Sequence, residues 1–127
     1  MPFIEVEITP DPIVVEVRPD GTGEARFQIR LTNSGDVPAR DWHLELLLPE
    51  GVSVVSGPPG SNVKGRGVTL DGSLTLWPGW EHPAGEVVVA PASDVRFRSA
   101  LAIAWVVAAD QGFSEQRFTV TTRRSTG

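Results

Sequence analysis

Residues 31–55 read LTNSGDVPARDWHLELLLPEGVSVV. A polar turn, Asn33-Ser34-Gly35-Asp36, precedes an alternating run, and a second turn, Pro49-Glu50-Gly51, follows it directly. In the run, Trp42, Leu44, Leu46 and Leu48 alternate with Asp41, His43, Glu45 and Leu47. Successive side chains of a strand point to opposite faces, so this period of two reads as a half-buried strand. Asn and Gly tolerate left-handed backbone, and Asn, Ser and Asp bond nearby amides, so residues 33–36 reverse the chain. Pro49 has no N–H to give and ends the ladder. Gly51 then lets the chain bend towards a strand elsewhere. The stretch builds a corner between two layers.

The same grammar extends outward. Ala25, Phe27, Ile29 and Leu31 alternate with Arg26, Gln28, Arg30 and Thr32. A helix would scatter these four apolar residues around its circumference. Ile4, Val6 and Ile8 share one parity, as do Ile13, Val15 and Val17, and later Phe118 and Val120. Val52–Val55, Val68–Leu70, Ser73–Trp77, Glu86–Ala90 and Phe113–Thr122 read as further strands, and Val95–Arg98 as an extended piece. Asp71-Gly72 reads as a two-residue hairpin turn. Ser61–Gly67 and Pro78–Gly85 read as loops, Asp110-Gln111-Gly112 as a turn, and residues 123–127 as a frayed tail. No convincing helix of ten residues appears. The expectation is one domain over residues 1–122, all-β and antiparallel, a sandwich in preference to a barrel, with seven to nine strands and Greek-key connections.

The 127 residues include 13 Gly and 11 Pro, no Cys, and carry a net charge of −5. The length suffices to bury about two-thirds of the unfolded chain's surface without staples. Acidity argues against nucleic acid, whose phosphates demand clustered cations; of the eleven basic residues only Arg96/Arg98 and Arg123/Arg124 lie close together. The absence of Cys excludes a disulfide framework, a thiolate metal site and a cysteine nucleophile. The start, MPFIEVEITPDP, does not read as a signal peptide, and no window reaches the ~18 apolar residues of a membrane span. Localisation stays open: cytoplasmic for a whole protein, cell-surface for a domain cut from a longer chain.

The order "L-T-N-S-G-D", small residues, strand, "L-P-E-G-V" resembles the CARDB-like (cell-adhesion-related) Ig-like domains of bacteria and archaea. Leu74-Thr75-Leu76-Trp77 followed by Pro83-Ala84-Gly85-Glu86 is similar to the second half of that pattern. The resemblance covers roughly Glu24 to Ala90. It implies that the sandwich is Ig-like, and a non-catalytic spacer, adhesive or interaction module, with a protein partner or self-association.

Several stretches are candidate sites. Asp41, His43 and Glu45 lie on one strand face about 7 Å apart in steps of two. A solvated, charged face explains them better than a metal, because side chains in line on one strand rarely converge on an ion. Asp20-Gly21-Thr22-Gly23-Glu24 and Asp71-Gly72 lack the alternate acids of a calcium loop and read as turns. In Trp77-Pro78-Gly79-Trp80-Glu81-His82, Trp80 and His82 are the candidates for binding carbohydrate, the alternative function; the competing reading buries Trp77 at a strand end and staples the loop with Trp80. Ala100–Ala109 is apolar on both parities. With Leu101, Ile103, Trp105 and Val107 taken as the inner set, Ala102, Ala104 and Val106 become a partner-facing patch. Cover by the 57–67 loop, or a different fold, would also account for that second face. No G-x-S-x-G, H-E-x-x-H or P-loop is present, and no cofactor is implied. A small hydrolase with a site assembled across loops is the remaining class.

Overall fold

A computed structural model describes residues 3–72, 74–108 and 114–125. Ten strands appear among them: β1 (Ile4–Thr9), β2 (Ile13–Val17), β3 (Ala25–Asn33), β4 (His43–Leu47), β5 (Val52–Ser56), β6 (Asn62–Lys64), β7 (Gly67–Asp71), β8 (Glu81–Pro91), β9 (Ser99–Val107) and β10 (Ser114–Arg124). They form a four-stranded sheet, β1-β3-β8-β5, and a six-stranded sheet, β2-β10-β9-β4-β7-β6. The chain changes sheet repeatedly, and only β6–β7 and β9–β10 are neighbours both in sequence and in a sheet. All pairs are antiparallel except β2 with β10, which run parallel.

The parities read from sequence set the inner faces. Ile4, Val6 and Ile8, then Ile13, Val15 and Val17, then Phe27, Ile29 and Leu31, then Trp42, Leu44, Leu46 and Leu48 are all buried. Phe27 of β3 meets Phe118 of β10 across the sandwich with ring centroids 5.8 Å apart, tilted by 52°. Burying each of these side chains contributes on the order of 1.5–3 kcal/mol.

Several boundaries differ from expectation. Residues 74–77 form no strand: Trp42 Nε1 donates to the Leu74 carbonyl (2.9 Å), and Leu76 makes a single bridge to Ala39. Those two ties lead the chain away from β7, which pairs with β4 and β6 instead. The expected 61–67 loop contains the short strand β6, and the expected 78–85 loop already belongs to β8 from Glu81, paired with Thr32. Residues 95–98 are irregular rather than extended. Arg123 and Arg124, expected in a frayed tail, lie in β10 opposite Glu16 and Val17, and the Ser125 amide donates to the Val17 carbonyl. The partner for these residues is distant in sequence, so no local pattern announced it. The turn expected at residues 110–112 lies outside the described residues.

Among the described residues two polar side chains are buried, those of Asn33 and Thr122. Asn33 ends β3 and ties together one end of the sandwich. Its Oδ1 accepts from the Phe3 and Gly35 amides (3.3 and 2.9 Å), and its Nδ2 donates to the Val37 and Leu76 carbonyls (2.9 and 2.8 Å). Its backbone also bonds the Trp80 carbonyl and the Gly79 amide. Residues 33–36 turn through this side chain, not through left-handed backbone; the non-glycine with positive φ is Asp41, and Gly51 bends the chain at φ 95°. At the opposite end, Thr122 Oγ1 donates to the Arg96 carbonyl and accepts from the Arg98 amide, pinning the 92–98 loop to β10.

Asn33→Ala removes four side-chain hydrogen bonds, one buried and three partly buried, that tie the start of β1, the 33–37 turn and the Leu76 segment together. A loss of about 3 kcal/mol is expected, since each such bond contributes roughly 1 kcal/mol net. Urea unfolding of both proteins measures it, and a change below about 1 kcal/mol would contradict the role given to Asn33.

Candidate functional site

The outer face of the six-stranded sheet follows from strand pairing. Residues opposite one another on antiparallel strands share a face. Leu44 pairs with Val106 and Leu46 with Ala104, and Phe118 of β10 pairs with Ala102. Because Leu44, Leu46 and Phe118 point into the core, Ala102, Ala104 and Val106 must too, and all three are buried. The expected partner-facing patch is therefore corrected. Ala102 is small because Phe118 beside it fills the space, and the larger residues of β9 face outward. Side-chain size suggested the opposite parity; the neighbouring strands impose this one.

That outer face carries an apolar band. Leu101 is 62% exposed and Leu47 51%, with Ile103 and Trp105 partly exposed beside them. Leu47 lies opposite Ile103, and Glu45 opposite Trp105. Together with Gly67, Thr69 and Glu115 they line a shallow depression of about 380 Å³. Arg117, beside Ile103 in register, and Glu115 bond each other at 3.4 Å on the rim.

His43 anchors the end of the band. Its Nδ1 lies 2.5 Å from Asp71 Oδ1 on β7 and its Nε2 3.1 Å from Glu45 Oε1, and its ring lies 5.7 Å from that of Trp105 on β9. The hydrogen bond to Asp71, then the one to Glu45, raises the imidazole above its ordinary 6.5, against the opposing effect of burial. The two carboxylates grip opposite ring nitrogens and so do not converge on one ion. Among the described residues no group of three His, Asp or Glu is placed to hold a metal. Asp41, the third member of the sequence trio, is exposed.

The aromatic stretch builds a second surface. Trp77-Pro78-Gly79-Trp80 is a tight turn closed by the Trp80 amide on the Trp77 carbonyl (3.0 Å), with Gly79 at φ 81°. Pro followed by Gly suits this geometry, because Pro presets φ and Gly accepts the positive value. Trp77 is 43% exposed and Trp80 52%, their centroids 6.5 Å apart and their planes tilted by 60°. Trp77 is not a core residue, contrary to the bland reading of its sequence. Phe3 and Val37, whose backbones bond Asn33, are exposed at the same end. His82 goes elsewhere: it packs edge-on against buried Trp42, centroids 6.1 Å apart. Trp80 thus has Trp77, not His82, as its ring partner. The exposure of Trp77 was missed because a strand was expected to run into it.

No protein-family model matches the chain, and no curated protein matches it. Solved structures do. The chain has an Ig-like β-sandwich fold. It is similar to a CARDB domain from Pyrococcus furiosus in complex with di-metal ions, at 16% identity and a TM-score of 0.54, over 96% of this chain and 89% of that one. It is also similar to AvmM, which catalyses macrocyclization in alchivemycin A biosynthesis, at 14% identity and 0.55, over 97% and 91%. A third is the seventh ScaB type I cohesin of Pseudobacteroides cellulosolvens, at 8% and 0.52, over 91% and 93%. Identities this low speak for the fold alone.

The His43 contacts make stability depend on pH. A folded value raised above 6.5 contributes stability that is complete below 6.5 and is lost as pH rises through the raised value. Thermal melting should show wild type exceeding His43→Gln by more at pH 5.5 than at pH 8.5. Equal differences at both pH values would dismiss the His43–Asp71–Glu45 cluster as a stabilising contact.

Proposed function

We propose that this domain is a non-catalytic interaction or spacer module, and that it meets a protein partner or a second copy of itself through the outer face of β9 and β4. One observation carries the reading: Leu47, Leu101, Ile103 and Trp105 are neighbours on one outer sheet face, with Leu47 and Leu101 more than half exposed and Ile103 and Trp105 partly exposed. Contiguous apolar surface of this kind marks interaction sites more often than chance placement does. The similarity to AvmM means that the fold leaves room for catalysis, so the case rests on side chains. Both histidines are committed to other work: His43 holds a carboxylate on each ring nitrogen, and His82 packs against Trp42. Among the described residues neither imidazole bonds a serine or threonine hydroxyl. The similarity to the CARDB domain supports the module reading as an analogy of fold.

Sedimentation velocity over a concentration series tests the self-association form. Wild type should show a concentration-dependent dimer that Leu101→Glu abolishes, while circular dichroism of the two stays the same. For a different partner, affinity capture should lose a protein on the same substitution. Wild type that remains monomeric to roughly 1 mM, and captures the same proteins as the variant, removes the proposal.

A second reading has its own observation. Trp77 and Trp80 present two exposed indoles on a rigid turn, and aromatic faces stack on sugar rings; Glu81 beside them, paired with Arg30 at 3.7 Å, supplies a hydroxyl acceptor. This keeps Trp80 of the carbohydrate alternative, adds Trp77 and drops His82. On a glycan array, signal for wild type that Trp80→Ala reduces at least tenfold would support it; background binding by wild type would end it.

A further inference from the structure

The end of the sandwich opposite the tryptophans carries a different chemistry. Val17 at the end of β2, Arg18, Pro19 and Gly21 from the turn after it, Val95 and Phe97 from the 92–98 loop, and Arg124 and Ser125 from the end of β10 line a cleft of about 370 Å³. Its walls are mainly apolar. Phe97, 48% exposed, forms one side. The Arg124 guanidinium sits 5.0 Å over the Phe97 ring, a cation–π arrangement that holds both in place. Arg18 donates to Thr22 Oγ1 at 3.2 Å across the turn. The acid of that turn, Asp20, is engaged by the Thr22 amide and hydroxyl at 3.0 and 2.6 Å. Arg96 and Arg98 line an adjoining hollow with Glu50 and Asp94.

The charge at this end runs against the rest of the chain. Arg18, Arg96, Arg98 and Arg124 lie here with Asp20, Glu50 and Asp94, and the Arg123–Glu16 pair, which cancels itself, lies next in register, on a protein whose net charge is −5. None of Arg18, Arg96, Arg98 and Arg124 forms an ion pair within 4.0 Å among the described residues, although the Thr22 hydroxyl and amide, helped by the charge of Arg18, hold the Asp20 carboxyl below its usual range, and Arg98 donates to the Glu50 carbonyl at 3.4 Å. The site is also built. Buried Thr122 fixes the loop that carries Arg96 to Arg98, the Ala92 amide bonds the Gly51 carbonyl, and β10 is pinned to β2 beside it. The Arg124 guanidinium, with no carboxylate in salt-bridge reach and set against a half-exposed Phe97 and an apolar wall, is matched by an anionic group on an apolar body.

We propose that this cleft binds a small organic anion, its apolar body against Phe97, Val95 and Pro19 and its anionic group on Arg124 and Arg18. This site is separate from the β9–β4 face, and either can stand without the other. Four probes dissect it by amide chemical-shift titration of the whole chain: phenylacetate, phenyl phosphate, neutral phenylacetamide and acetate. Phenylacetate or phenyl phosphate should give saturable shifts grouped on residues 17–21, 95–97 and 124–125, and whichever binds tighter identifies the headgroup. Phenylacetamide and acetate should each bind at least fivefold more weakly. Phe97→Ala and Arg124→Gln should each abolish saturation, and Arg123→Gln, which breaks only the exposed pair with Glu16, should not. No saturable shift below roughly 10 mM, equal binding of phenylacetamide, or saturation unchanged in Arg124→Gln would overturn the proposal.

Discussion

The closure of the two sheets over Phe27 and Phe118 constrains everything else. These rings come from β3 and β10, one in each sheet, and meet near the middle of the core. Once both inner faces must be dry, the parity of every strand is settled by its neighbours, because a slip of one residue would turn a whole strand inside out. Ala102 and Ala104 are inside for that reason, although they are the smaller set on β9. Their size is a consequence of the packing, since Phe118 fills the volume beside Ala102. Leu101, Ile103 and Trp105 are left on the surface by the same constraint.

The buried side chains of Asn33 and Thr122 divide a second task. An apolar core holds the sheets together but does not position the loops at their ends. Asn33 bonds the start of β1, its own turn and the Leu76 segment, and its backbone bonds the Trp77–Trp80 turn. Thr122 does the corresponding work for the loop bearing Arg96, Phe97 and Arg98. A buried polar group is costly unless satisfied, and each of these is satisfied by loop backbone. Each end therefore presents exposed side chains from a fixed frame: two tryptophans at one, arginines and Phe97 at the other. A rigid frame lowers the ordering cost of binding.

Strand existence was readable to the extent that each strand had one wet face. β1, β2, β3 and the Trp42–Leu48 run alternate cleanly, and their buried sets are those expected. Reading was poorest where pairing is non-local. β10 continues to Arg124 because β2, more than a hundred residues earlier, lies parallel to it. Residues 74–77 leave the strand state because Trp42 and Ala39 bind them. For the candidate sites, His43 and Glu45 were visible as one strand face, but the closest partner of His43, Asp71, comes from β7. Trp80 was visible as a loop aromatic, while its pairing with Trp77 needed the turn to be formed. The cleft at Phe97 drew on three distant segments, and only the closeness of Arg96 to Arg98 and of Arg123 to Arg124 hinted at it.

What the chain alone determined was the class of structure: an all-β domain whose apolar residues fall on every second position, with turns where Gly, Pro, Asn and Asp gather. Periodicity and turn chemistry are local, so they survive without coordinates. What only the folded structure decided was which face of β9 is wet, and which side chains meet at the ends of the sandwich. Both depend on strands far apart in sequence lying side by side, and a doubly apolar strand contains no local signal that breaks the tie between its two faces.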